Sequence, residues 1–193
     1  MPKLMCLVSS VDDLSLLPAL VAAGVDCFQV RDKTLDGAGL VALTRTALAT
    51  GATVVVNDRV DVALVAGAHG VHVGATDLAA ADVRRIAPDL LVGATCRSAD
   101  DVAAAAAAGA DYAGVGPVFV SSSKAGLPEP LGPSGLGEVV GGALPVVAIG
   151  GIAPHNAGLV ADTGAHGVAV IGGIWREPDP VAAVRALAEA LGR

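Results

Sequence analysis

Ala23-Gly24-Val25-Asp26-Cys27-Phe28-Gln29-Val30-Arg31-Asp32-Lys33 holds a turn, a strand and a polar exit in one short run. Side chains two apart on a strand share a face, so Gln29, Arg31 and Lys33 point one way while Phe28 and Val30 point the other. A parallel strand covered on both faces stays apolar through its middle and turns polar only where it emerges. One amide and two cations therefore mark the C-terminal end of this strand. That is the side on which open and closed α/β folds keep their ligands.

The tetrapeptide that opens this run returns as Ala66-Gly67-Ala68-His69, Ala108-Gly109-Ala110-Asp111 and Thr163-Gly164-Ala165-His166. Each copy follows an Ala-rich helical run and precedes a short β-rich one, so its glycine fits a left-handed helix C-cap. The first three recur about every forty residues, as expected if each period holds two βα units. On this frame strands are predicted near Leu4 to Ser9, Cys27 to Arg31, Thr53 to Asn57, Gly70 to Val73, Leu91 to Thr95, Tyr112 to Val115, Val146 to Ile149 and Gly167 to Ile171. Helices fill the gaps: Leu14 to Ala23, Gly39 to Thr50, Val60 to Ala66, Ala79 to Ala87, Ala99 to Ala108, Gly135 to Val140, His155 to Asp162 and Val181 to Leu191. Eight alternating pairs with no second zone of composition predict an α/β protein, a compact single-domain (β/α)8 barrel over residues 1–193. A doubly wound open sheet is the competing topology.

Composition narrows the partners. The formal charge is −7 at pH 7, which argues against non-specific nucleic-acid binding, since that rests on phosphate neutralisation by Lys and Arg. An anion bound here must be held by a local cluster of cations. The most apolar stretch, Val139 to Pro154, contains Pro145 and several glycines and is shorter than the roughly 20 residues a membrane span needs. With no signal-peptide pattern at Met1 to Val8, a cytoplasmic protein without membrane contact is expected. Cys6, Cys27 and Cys96 are widely spaced and fall in or next to strands, so they read as reduced core thiols. His69, His72, His155 and His166 show no metal-ligand spacing and read as surface or packing residues.

Residues fit for chemistry sit just after the predicted strands. Arg31 and Lys33 follow the second, Asn57 and Asp58 the third, Gly74 and Asp77 the fourth, and Thr95 the fifth. Gly-Gly pairs at Gly150-Gly151 and Gly172-Gly173 follow the seventh and eighth, where backbone N–H groups can approach a phosphate without Cβ interference. Gly116 to Ser134, with Ser121, Ser122, Ser123 and Lys124 near its start, reads as a mobile anion-binding lid. Asp58 and Asp77, with Asn57 beside them, suit Mg2+, which is usually held by one or two carboxylates, retained waters and substrate phosphate oxygens. Each of those aspartates could equally cap the helix two residues on. No Ser-His-Asp elbow, Cys-His pairing or Walker loop is present.

The ordered set FQVRDK (28–33), VNDRVDVALVAGAHGVHVG (56–74), DYAGVGPVF (111–119) with the following SSSK (121–124), PVVAIGGI (145–152) and GVAVIGGI (167–174) resembles the family of thiamine-phosphate synthases and thiazole tautomerases, closest to the synthases. The resemblance implies a Mg2+-dependent condensation of a hydroxymethylpyrimidine diphosphate with a thiazole phosphate, releasing diphosphate. It implies that Gln29, Arg31, Lys33, Asn57 and Lys124 hold the diphosphate, with Arg31, Lys33 and Lys124 stabilising the charge that departs. Asp58 and Asp77 would bind the metal, and Thr95, Ser121 and Ser123 would place hydroxyls around the substrates. Gly151, Ile171 and Gly172 would grip the thiazole phosphate. The chain departs from the family pattern at Ala75-Thr76, where Gln-Glu is usual, at Val120, where a proline is usual, and at Gly172, where a serine is common. Pro117 stands where the tautomerase branch would carry its histidine. A tautomerase-like isomerase and a non-catalytic phosphometabolite-binding regulator stay open as alternatives.

Overall fold

The computed structural model describes residues 1–121 and 126–193. Eight parallel strands alternate with helices: β1 (Leu4–Val8), α1 (Leu17–Ala23), β2 (Cys27–Val30), α2 (Gly37–Leu48), β3 (Thr53–Asn57), α3 (Val60–Ala66), β4 (Gly70–Val73), α4 (Ala80–Ile86), β5 (Leu91–Cys96) and α5 (Ala99–Ala107) lead. Then come β6 (Tyr112–Val115), α6 (Gly132–Gly137), β7 (Val146–Ile149), α7 (Ala157–Ala161), β8 (Gly167–Val170), α8 (Gly172–Trp175) and α9 (Pro180–Ala190). A 3-10 turn at Leu14–Leu16 leads into α1. β8 pairs with β1, with Met5 opposite Ala169, so the sheet closes into a barrel and the open-sheet alternative is excluded.

The differences from the expected boundaries have local causes. β1 ends at Val8 because the Ser9 N–H turns aside to the Asp12 carboxylate at 2.7 Å. β2 stops at Val30, although the Arg31 N–H still reaches the Val8 carbonyl at 2.9 Å. α2 begins two residues early, since Asp36 caps it by accepting from the Gly39 N–H. α6 lies three residues upstream of its expected start, with Pro133 in its first turn. The connection after β6 is shortened accordingly and ends at Leu131. α8 was not expected at all, because a Gly-Gly pair reads as a turn.

Strand alternation sorts the core into two shells. Phe28, Val30, Val54 and Val56 face outward and pack with Leu20, Leu40, Leu136, Val184 and Leu187 of the helices. Met5, Leu7, Cys27, Val55, Tyr112, Val147 and Ala169 face the barrel axis. Cys6 and Cys96 belong to the outer shell and Cys27 to the inner, all buried and free.

The repeated tetrapeptide is a clamp at the floor of the barrel. Its glycines end the preceding helices at positive φ, 77° at Gly67, 87° at Gly109 and 82° at Gly164. Its last residue grips the neighbouring strand twice. Asp26 donates its N–H to the Leu4 carbonyl and accepts the Leu4 N–H at 3.0 Å. His69 and Asp111 do the same to Val54 and Val92. His166 keeps only the backbone half of this bond, to Val146, and its ring turns to the Met1 carbonyl. Among the described residues, no helix is long and apolar enough to cross a membrane.

Candidate active site

The barrel opens at the C-terminal ends of its strands into a cavity of about 420 Å³. Gln29, Arg31, Asn57, Thr95, Ser121, Gly151, Ile171 and Gly172 all line it. Their convergence follows from register: a closed parallel barrel turns every second side chain of each strand toward one axis. Lys33, Asp58 and Asp77 gather beside the cavity rather than on its wall. Ser123 and Lys124 lie outside the described residues.

Lys33 Nζ donates to Asp58 Oδ2 in an ion pair. Asp58 has φ 63°, the sole non-glycine residue at positive φ among those described, a conformation that costs on the order of 1–2 kcal/mol. Its N–H is fixed on the His72 carbonyl at 2.8 Å. Asp77 accepts the Gly74 N–H at 2.9 Å, and a Cβ on Gly74 would stand 2.8 Å from that same carboxylate oxygen. Neither aspartate caps a helix: α3 starts after Arg59 and α4 after Ala79, both without a side-chain cap. The two carboxyl groups instead share a hydrogen bond. Burial first, then the bond and charge of Asp58, push the Asp77 carboxyl above the usual carboxylate range. Two converging acids, one already on a lysine, fit a divalent cation.

The loop that carries Arg31 and Lys33 is anchored by the residue between them. Asp32 accepts from the Ser10 N–H and Oγ, the Thr34 N–H and Oγ1, and the Leu35 N–H. Burial pushes its carboxyl up, but the hydrogen bonds from Ser10 and Thr34 more than reverse this and hold it well below the usual range.

Inside the mouth lies a polar chain that the spacing argument did not single out. Asn57, His72, Gly93 and Tyr112 stand side by side across β3 to β6. Gly93 leaves the room, since a Cβ there would lie 2.1 Å from the Tyr112 ring. The His72 Nδ1 and the Tyr112 hydroxyl are 3.1 Å apart, and His72 Nε2 lies 3.1 Å from Thr95 Oγ1. The Tyr112 hydroxyl also bonds Gln29, whose Nε2 contacts Met5 Sδ at 3.3 Å. Burial lowers the His72 pKa to about 4, against a small upward pull from Asp77. His72 thus keeps the packing role expected for it, its ring centroid 5.5 Å from that of Tyr112, and in addition lines the cavity. Its inward direction was readable from Asn57, its partner in register on β3.

The glycine pairs have a packing reason as well. A Cβ on Gly151 would stand 2.4 Å from the Val120 carbonyl, and one on Gly150 2.6 Å from Pro117. The loop after β6 runs against them, Phe119 N–H on the Gly150 carbonyl at 2.9 Å. Asn156, unremarked in the sequence, fixes this corner by donating to the Gly151 carbonyl and accepting from the Ala153 N–H. The indole N–H of Trp175 donates to the Leu7 carbonyl at 2.7 Å and docks α8 on β1.

An eight-stranded parallel barrel with cations, paired acids and exposed backbone at one mouth defines an α/β enzyme class built to handle phosphorylated small molecules. The chain matches the family model for thiamine monophosphate synthase over residues 4–174, and it belongs to that family. It is 47% identical to the thiamine biosynthesis bifunctional protein ThiM/ThiE of Symbiobacterium thermophilum, over 99% of this chain but only 41% of that protein. It is 44% identical to the thiamine-phosphate synthase of Anaeromyxobacter dehalogenans, over 92% of this chain and 82% of that one. Among solved structures, thiamine phosphate pyrophosphorylase from Pyrococcus furiosus superposes with a TM-score of 0.88 at 31% identity, covering 98% of this chain and 95% of that chain.

Proposed function

We propose that this chain is a thiamine-phosphate synthase, joining 4-amino-2-methyl-5-hydroxymethylpyrimidine diphosphate to a thiazole phosphate with release of diphosphate. The observation that carries the reading is the single mouth onto which Arg31, Asn57, Thr95 and Gly151 converge, with the Asp58–Asp77 pair at its edge.

The reaction breaks the bond between the pyrimidine methylene carbon and the diphosphate oxygen, and the leaving group takes the electron pair. The thiazole nitrogen then gives its lone pair to that carbon, so no proton has to be moved by the protein. What remains is charge stabilisation and alignment, the two effects a preorganised cavity supplies well. Arg31, Gln29 and Asn57 hold the departing diphosphate, with Lys33 and Lys124 adding charge. Asp58 and Asp77 would hold Mg2+, which would supply positive charge to the departing diphosphate. His72, kept neutral by burial, sets no positive charge under a pyrimidine that becomes cationic. Thr95 and Ser121 offer hydroxyls to the rings and phosphates. Gly151, Ile171 and Gly172 present backbone to the thiazole phosphate.

The test is a diphosphate-release assay with each substrate alone and both together, with Mg2+ or with excess chelator. Release is expected only with both substrates and the metal. Undiminished rates in chelator would overturn the metal reading, and no release from the pair would overturn the reaction. Arg31→Ala should lower kcat on the order of 10²-fold, as loss of one oxyanion donor does.

A further inference from the structure

Arg176 follows α8 directly and was not among the residues expected at the site. It lines the main cavity, and with Arg31, Ile171, Ser9 and Asp12 it also lines a smaller one of about 160 Å³ alongside. Its side chain lies over Gly172: a Cβ at that glycine would stand 3.4 Å from Arg176 Cδ and Nε and 3.6 Å from Cζ. Any side chain at position 172 would therefore grow toward the guanidinium. The backbone keeps the two residues in step, with the Arg176 N–H on the Gly172 carbonyl at 3.1 Å and the Trp175 indole holding α8 on β1.

We propose that Arg176 is a specificity-determining residue of this chain. Its guanidinium, lying against Gly172 on the wall of the same cavity, holds the monophosphate of the second substrate. This rests on the reaction proposed above. A guanidinium offers a planar set of donors with a permanent charge, matched to a phosphate. In a chain of net charge −7, the long-range field repels a phosphate, so selectivity for it must come from cations at contact distance. Arg31 and Arg176 share the walls of both cavities, which places one guanidinium for each phosphorylated substrate around one mouth.

The experiment is steady-state kinetics on the full chain with Arg176→Ala, Arg176→Lys, Gly172→Ser and the double variant Gly172→Ser/Arg176→Ala. Each is assayed with the thiazole phosphate and with the corresponding thiazole alcohol. Arg176→Ala should raise KM for the thiazole phosphate about 10-fold or more, the effect of losing a charge-assisted hydrogen bond. KM for the pyrimidine diphosphate should stay within about twofold, and the preference for phosphate over alcohol should fall in proportion. Arg176→Lys should recover part of the loss. Gly172→Ser should weaken thiazole-phosphate binding beside the arginine and improve it beside the alanine. A purely structural role would raise both KM values together, or lower Tm, without moving the phosphate-to-alcohol ratio, and either result overturns the inference. So does a wild-type enzyme that turns over and an Arg176→Ala variant with unchanged preference. A wild-type chain with no turnover of the pair overturns this inference and the proposed reaction together.

Discussion

His72 and Asp77 are polar groups held away from their ordinary protonation, and each makes a prediction at the scale of a single side chain. His72 bonds Tyr112 and Thr95 inside the barrel, and burial drops its pKa to about 4. Its ring protons should therefore keep one chemical shift from pH 8 to pH 5 in an NMR titration, where an ordinary histidine would half-titrate at 6.5. Movement centred near 6.5 would show the imidazole open to water. Asp77 shares a hydrogen bond with Asp58 while Asp58 is already bound to Lys33. An Asn at 77 can still accept from the Gly74 N–H and donate to Asp58 without adding a second negative charge. Asp77→Asn should then raise the metal-free Tm by about 1–4 °C while removing most turnover, a trade of function for stability. A fall in Tm would mean that the charge itself is structural. Both residues show what the sequence withheld. Asp77 was conspicuous as an acid after a strand, but whether it capped a helix or met another acid depends on the path of the β4 loop. His72 was hidden among apolar neighbours because its importance lies in what stands across from it.

At the scale of elements, all eight strands were readable as short β-rich runs between helical ones, and β2, β4, β6 and β8 are further marked by the glycine of the repeated tetrapeptide before them. Helices fixed by a clear cap or by apolar periodicity, such as α3 and α5, also fall close to where expected. α6 and α8 were displaced or missed because Gly132-Pro133 and Gly172-Gly173 carry no helical signal of their own. Their helical shape comes from docking, as the Trp175 bond to β1 illustrates. The repeated tetrapeptide was readable as punctuation, while its second task was not. Asp111 holds both ends of Val92 and is itself held by Arg84 at 2.6 Å. Asp111→Ala leaves the Val92 N–H without its acceptor in the barrel floor. The loss should be about 1–2 kcal/mol, or roughly 2–8 °C in Tm for a chain of this size, with KM for both substrates unchanged since the mouth lies at the opposite end. A change in KM without a change in Tm would contradict this division of labour between the two ends.

Closure makes the whole molecule respond to acid as one body, because β8 on β1 leaves no free sheet edge from which part of the barrel could open alone. Three sets of groups bear on that response, and one of them, the Asp77 carboxyl held above its ordinary range, acts in the opposite sense by adding stability as pH falls through its raised value. His72 has a folded pKa below its ordinary 6.5, so its contribution is complete above 6.5 and is lost as pH falls toward about 4. Asp32, Asp61 and Asp101 are held below the ordinary 3.8, so theirs is complete above that value and is lost only as pH falls through it. Asp61 pairs with Arg59 on a side chain that is 64% exposed, where water screens the gain. Asp32 counts for more, since it ties the Ser10 turn after β1 to the Thr34 turn after β2. Thermal unfolding should therefore be level from pH 8 to near 7, decline gently to pH 4 and fall steeply below it. Asp32→Asn should remove much of the steep part, with a lower Tm at pH 7 as the price of the lost acceptors. The same variant should weaken pyrimidine-diphosphate binding, because Arg31 and Lys33 flank the carboxylate that fixes their loop. A variant that keeps the full acid transition would mean that another carboxylate governs it.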